Sequence, residues 1–211
     1  MKEMYLSLKN DIQNDVGWIK RFLSYIFDWY IGGVVASLPV ILIYMSLHKD
    51  ATYIPQNLTI FDFPYNIIAG ILSFIVAVCY YVLVPMYVWK GQTLGKKIFK
   101  LCIYQNNFEE VTKKQIFIRQ FVVILLVEGS LFTSSHMLHQ LIEISTGIEM
   151  TKIYSYIGIV ITVLSILCMI LLKSRRAIHD LIAGTRVVKL NSKNVQYEIK
   201  KQAKRKKKSG A

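Results

Sequence analysis

The chain has 211 residues, 54% of them hydrophobic, yet it carries a formal net charge of +13. Its mean hydropathy is +0.39. A soluble domain mixes charged and apolar residues along its length; here long runs carry almost no charge, which excludes an ordinary soluble enzyme or binding module.

The first element is a leader, 1–20. Met4, Leu8, Ile12 and Val16 recur at four-residue spacing, a pattern that suits a short helix over 3–16 on the inner membrane surface, or a plain solvated amphipathic leader. Four runs then reach the roughly 20 apolar residues that a bilayer crossing needs: about 22–47, 66–89, 115–139 and 153–172. The first is too long for the 7–15-residue core of a cleaved signal peptide and follows 21 other residues. Pro39 inside it and Pro85 near the end of the second each remove a helical hydrogen bond and predict a bend. Between these two runs, Asn57-Leu58-Thr59 forms an acceptor sequon, with nothing else to suggest a glycosylating compartment. Cys79, Cys102 and Cys168 have no metal-ligand spacing and read as packing residues.

Lysines and arginines set the orientation. The stretches 1–21, 48–65, 90–114, 140–152 and 173–211 hold four, one, six, one and thirteen of them. That alternation predicts both termini in the cytoplasm. It also argues for the third crossing despite its Arg119, Glu128, His136 and His139, since without it two basic segments would face opposite sides. The expected fold class is an all-α membrane protein with four transmembrane helices. The expected domains are the leader 1–20, a membrane domain 21–190 and a disordered polybasic tail 191–211.

After the second and fourth runs come "WKGQTLGKKIFKLCIYQNN" and "KSRRAIHDLIAGTRVVKLNSKN". Each has basic residues and glycine, a short amphipathic piece, and a β-prone stretch ("KLCIY", "TRVVKL"). The shared plan suggests two diverged halves whose β-prone stretches pair as a small cytoplasmic cap. In "GQTLGKK" three residues separate the glycines and a lysine follows the first lysine, so it fails as a phosphate loop. It reads instead as a membrane-surface turn (Gly91, Gln92, Thr93, Gly95, Lys96) with lysines near lipid phosphates. Residues 200–208 hold seven basic residues in nine positions. Such a tail is drawn to anionic lipid, and nucleic acid is a poor fit because no aromatics are interleaved to stack on bases.

Arg21 and Asp28 lie on one helix face, about 10 Å apart along the axis, too far for a direct bridge. Asp28 must therefore be neutral, hydrated or paired with a cation from another helix, for which Arg119, Arg175 and Arg176 are available. Arg176–Asp180 and Arg175–His179 are i,i+4 spacings that suit helix-face pairs. Arg21, Asp28, Arg119, Arg176 and Asp180 thus predict one charged layer on the cytoplasmic side. Glu128 stands apart, with no basic residue one turn away, and takes the largest desolvation.

Three blocks resemble the RDD family of bacterial membrane proteins: "RFLSYIFDWYI", "GQTLGKKIFKLCIY" and "RRAIHDLIAGTRVV", in the family's order over residues 21 to 188. By motif, the family's arginine is Arg21 and its two aspartates are Asp28 and Asp180; Ser24 stands where a small alanine is common. The resemblance implies a multipass protein of the bacterial cell membrane, of a family often supposed to act in transport.

Two functions compete. The first is a small transporter or ion-coupled exchanger using Asp28, Glu128 and Asp180, with Arg119, Arg176 and His179 pairing helices or moving protons, and His136 and His139 as further proton carriers. The second is a non-catalytic accessory or assembly subunit of another envelope system. No nucleophile–base pair, metal spacing or cofactor loop is legible, so the expectation is no enzyme, no metal and no cofactor. Four helices are few to enclose a path, so the expected partners are anionic lipids and a second copy or another membrane protein.

Overall fold

The computed structural model of the chain describes residues 11–49, 57–128, 133–149, 151–197 and 199–201. Helix α1 (Trp18–Leu47) starts after Gly17 and runs 30 residues, about 45 Å at 1.5 Å per residue. Helix α2 (Tyr65–Val78) continues as a π-helix, Cys79–Val88, that contains Pro85. Next come the five-residue helix α3 (Leu94–Ile98) and strand β1 (Leu101–Gln105). Helix α4 (Lys113–Phe117) also continues as a π-helix, Ile118–Glu128, followed by α5 (Thr133–Thr146) and α6 (Thr151–Leu171). The short α7 (Ile178–Ile182) and strand β2 (Thr185–Lys189) follow.

Among the described residues, three helices are long and apolar enough to cross a membrane: Trp18–Leu47, Tyr65–Val88 and Thr151–Leu171. They match the expected runs 22–47, 66–89 and 153–172 to within a few residues. The expected third run, 115–139, corresponds to two pieces, α4 with its π-helical extension and α5; residues 129–132 between them lie outside the description.

The burial pattern is that of helices in lipid. The inward face of α1 holds Arg21, Ser24, Asp28, Gly32, Ala36, Ser37 and Val40, while Tyr30, Val34, Leu38, Leu42 and Met45 are exposed. Inside α6 lie Gly158, Thr162, Ser165 and Met169; outside lie Ile153, Tyr156, Val160, Val163 and Leu167. Water would select the reverse. In a bilayer large apolar side chains face the acyl chains and small or polar ones pack helix on helix. Gly32 carries this furthest: a Cβ there would lie 2.0 Å from the Tyr81 hydroxyl, which crosses from the π-helical continuation of α2 to donate to Asp28 O at 2.9 Å.

The two β-prone stretches do pair. Strands β1 and β2 form an antiparallel ribbon with Ile103 opposite Val187 at its centre. The repeat hinted at by the sequence is a repeat of backbone. Leu94 and Ile178, Leu101 and Thr185, and the left-handed residues Gly91 and Arg175 or Lys100 and Gly184 all stand 84 positions apart. That shift also maps Ile103 onto Val187. The ribbon is thus related to itself by a local dyad through this pair. Almost no residue identity accompanies the match, which is why the sequence only suggested it.

The leader and the tail differ from expectation. Residues 11–17 are not helical. Asn14 and Val16 are buried; the Asn14 amide donates to Ser174 O (3.1 Å) and Val187 O (2.8 Å). These contacts stitch the leader to the turn after α6 and to β2, which outweighs its weak four-residue periodicity. Met4 and Leu8 lie outside the described residues. The tail is not disordered from residue 191: residues 193–197 are helical, and Val195 is buried against Phe108 and Val188. Residues 202–211, with most of the basic run, lie outside the described residues.

Candidate functional site

Charged residues of α1, α3, the π-helical continuation of α4 and α7 converge where the long helices meet the ribbon. Asp28 is held by the segment after α2. Gly95 N–H donates to Oδ1 at 2.8 Å, Tyr80 OH donates to the same oxygen at 3.2 Å, and the Thr93 hydroxyl donates to Oδ2. Lys96 Nζ lies 3.3 Å from Oδ2. The cation that Asp28 needs is therefore Lys96, not Arg119, Arg175 or Arg176 as the sequence suggested. Correspondingly, Lys96 turns its ammonium in against α1 instead of reaching lipid phosphates. Its pKa is lowered, because burial outweighs the attraction of Asp28.

Every residue of the turn motif contributes to this arrangement. Gly91 has φ +72° and a Cβ there would meet Ile103 O at 2.6 Å, so only glycine fits. The Gln92 amide donates to Leu101 O at 2.6 Å, which fixes the turn to β1. A Cβ on Gly95 would lie 2.5 Å from Ser24 O, so its absence is what lets α3 reach the α1 backbone. Lys97 lies over the Trp89 ring at 3.9 Å, a cation–π contact.

Asp180 is fully buried and accepts from two guanidiniums, Arg21 and Arg119, the latter at 3.0 Å from Nε. Ala177 N–H and the Thr185 hydroxyl donate at 3.3 Å each. Burial alone would raise this carboxyl, but Arg119 and Arg21 outweigh it and hold Asp180 well below the usual carboxylate range.

The two i,i+4 pairings expected in "RRAIHD" do not form. Arg175 has φ +51° in the turn before α7, so residues 175–180 are not one helix. Arg175 instead presents its carbonyl to Arg21. Arg176 pairs with Asp11 at 2.7 Å, and the same carboxylate takes Arg186 at 2.7 Å from its other oxygen. Arg176 therefore belongs to the seam between leader and ribbon, outside the expected layer. Asp11 and Arg186 carried no legible sequence signal, being 175 positions apart.

Glu128 is not isolated. His179 Nδ1 lies 2.8 Å from its Oε2, and the Ser165 hydroxyl donates to Oε1 at 2.5 Å. These contacts, from residues 51 and 37 positions away, offset the desolvation its apolar neighbours in sequence imply. Glu128 and His179 line an open-mouthed cavity of about 60 Å³ together with Arg21, Ser24, Lys96 and Arg119. Ser24 is buried, and its hydroxyl has no hydrogen-bond partner among the described residues. His136 and His139 are not part of this cavity. His136 pairs with the Gln140 amide at 2.8 Å and His139 stacks on Tyr154 at 4.6 Å between centroids.

With this geometry in hand, comparison with family models gives one match, the RDD family, over residues 16–184. Comparison with curated proteins and with solved structures gives no match.

Proposed function

The chain belongs to the RDD family of membrane proteins, and from that premise we propose that it is a component of a small transporter or ion-coupled exchanger. The observation that carries this reading is the cavity at Glu128. A carboxylate–imidazole pair, two arginines and a lysine line open space inside a helical bundle. A layer whose whole task was to lock helices together would be packed solid, as Asp28 and Asp180 are. Glu128 lies on the proposed third crossing, and an ionisable group within the membrane on a cavity wall marks an ion or proton pathway.

The proposed topology has four crossings, with 115–139 as the third and both termini in the cytoplasm of a bacterial plasma membrane. Two observations support it beyond the lysine and arginine counts. Each short-helix-and-strand unit follows a helix long enough to span, as parallel repeats related by an axis along the membrane normal require. Residues 28–47 alone supply the roughly 20 residues and 30 Å of a crossing. Asp28 then falls at the inner boundary of the hydrocarbon, and the first ten residues of α1 stand among the cytoplasmic elements. The tail is proposed to bind acidic lipid, and a second copy or another membrane protein to complete the path.

The test is reconstitution of the purified chain into liposomes carrying a pH gradient. Addition of a monovalent cation to one side should dissipate the gradient faster than in empty liposomes. Equal rates with and without protein, for every cation tried, would favour the accessory-subunit reading instead.

A further inference from the structure

The repeated scaffold explains two of the four charged or chargeable contacts at the centre of the molecule, which are Lys96–Asp28, Arg119–Asp180, Arg21–Asp180 and His179–Glu128. In each half an ion pair fixes the short helix to a long one: Lys96 of α3 to Asp28 of α1, and Asp180 of α7 to Arg119 on the π-helical continuation of α4. Positions 96 and 180 correspond under the 84-residue shift, with the charges reversed. Position 179 corresponds to Gly95, which has no side chain. The Glu128–His179 pair therefore has no counterpart in the first half and is not required to seat the short helix. It is an added ionisable pair, buried, on the wall of a cavity.

We propose that Glu128 and His179 form a proton-binding site served by that cavity. His179 Nδ1 faces Glu128 at 2.8 Å, and Nε2 lies 3.9 Å from Asp180 Oδ2, too far for a hydrogen bond. With Nδ1–H donated to Glu128, the exchangeable proton sits on Nε2. Its release to a water molecule leaves a neutral imidazole beside the carboxylate and a hydronium ion in the cavity; uptake reverses this. Histidine is the side chain whose charge changes in the neutral pH range.

The groups that face the pair are Arg21 and Tyr25 from α1, Lys96 from α3, Arg119 from the π-helical continuation of α4, and Asp180 beside His179 on α7. Helix α6 adds Thr162 and Ser165, and β2 adds Val187. Formally, Arg21, Lys96 and Arg119 balance Asp28, Glu128 and Asp180. The buried layer is thus neutral when the imidazole is neutral and carries one positive charge when it is protonated. Ser165 joins this site to the backbone: it donates to Glu128 and accepts from Ile178 N–H at 3.2 Å, at the start of α7. The buried Ser24 hydroxyl, on the same cavity wall, is available to hold the water that takes the proton.

The step from proton binding to proton coupling rests on the transport reading; the binding site is testable without it. The experiment is a pH titration of the full chain in lipid nanodiscs with ¹⁵N-labelled histidine, the His179 signals being assigned by their loss in His179→Gln. The imidazole signals should switch between their neutral and cationic positions within the pH range over which the chain stays folded. In Glu128→Gln, which removes the anion but keeps an amide on Nδ1, that switch should move to lower pH. An imidazole that keeps one charge state throughout the range in the unmodified chain overturns the site, and so does a switch that Glu128→Gln leaves in place. The first criterion uses no variant, so misfolding of Glu128→Gln does not shield the proposal. A titrating site in a chain that carries no flux keeps the site and overturns transport.

Discussion

Lys96 reaches across 68 positions of sequence to lie 3.3 Å from Asp28, and the two side chains are each nine-tenths buried or nearly so. Removing one partner of such a pair strands the other in a poor solvent, at a cost of about 3–5 kcal/mol. Asp28→Asn should therefore lower the melting temperature of the purified protein. Adding Lys96→Met to that variant should recover part of the loss, whereas neutralising Arg119 should add to it. Thermal unfolding of the single and double variants in one detergent decides between the two partners.

Asp180 serves two guanidiniums at once, so Asp180→Asn leaves two buried cations unbalanced and should be the more damaging change. Its pH dependence has a definite sign. A carboxyl held below its unfolded value near 3.9 contributes stability that is complete above that pH and is lost as pH falls further. In a His179→Gln background, where no neighbouring imidazole changes charge, the gap in melting temperature that Asp180→Asn opens should stay constant from pH 8 to 5 and narrow below about pH 4. A gap that closes already near neutrality would contradict the two-arginine arrangement.

Two glycines give a matched control. Gly95→Ala places a Cβ 2.5 Å from Ser24 O, a backbone atom that cannot swing aside. Overpacking of this kind costs about 1–3 kcal/mol. Gly17 has open space around it and an ordinary φ of −62°, so Gly17→Ala should change stability by less than about 0.5 kcal/mol. Equal effects at the two positions would mean that α3 does not seat on α1 as described.

Much of this was legible in the chain and some was not, for a physical reason. Long apolar runs announce α1, α2 and α6, because a bilayer demands about 20 such residues whatever surrounds them. The β-prone stretches announce the ribbon through local composition. Side-chain partners depend instead on tertiary placement, which one-dimensional spacing does not encode. Arg176 and Asp180 have the spacing of a helical pair, but Arg175 turns left-handed just before them, Ala177 between them is extended, and Arg176 goes to Asp11. His179 reaches Glu128 only because α7 folds back onto the π-helical continuation of α4. The motif residues Arg21, Asp28 and Asp180 were visible individually; that they form two separate knots, on Lys96 and on Arg119, was not.

Topology is open to chemical labelling. Cys102 is buried and its thiol pushed up to about 11 by that burial, so it should not react; Cys79 and Cys168 are replaced by serine. In that background, Ile148→Cys, exposed between α5 and α6, should take an impermeant maleimide from outside intact cells. Lys97→Cys, in the basic loop, should react only after permeabilisation. Reaction of Lys97→Cys in intact cells would overturn the four-crossing topology.

Deletion of residues 202–211, beyond the docked Val195, should leave membrane insertion intact and weaken binding of the chain to acidic vesicles. The difference should shrink as salt rises, since screening shortens the reach of the tail's charge. An insertion failure would show that this segment has a folding role.

The ribbon makes one rigid lid out of what would otherwise be two. Leu101 and Val187, one from each strand, both line the cavity, and the strands are hydrogen-bonded to each other through five paired positions. Helices α3 and α7 hang from opposite strands and hold Asp28 and Arg119 respectively. Any displacement of one short helix is therefore transmitted to the other unless the ladder breaks. The helix that bears His179 and the helix that bears Gly95 are thus tied through a single ladder.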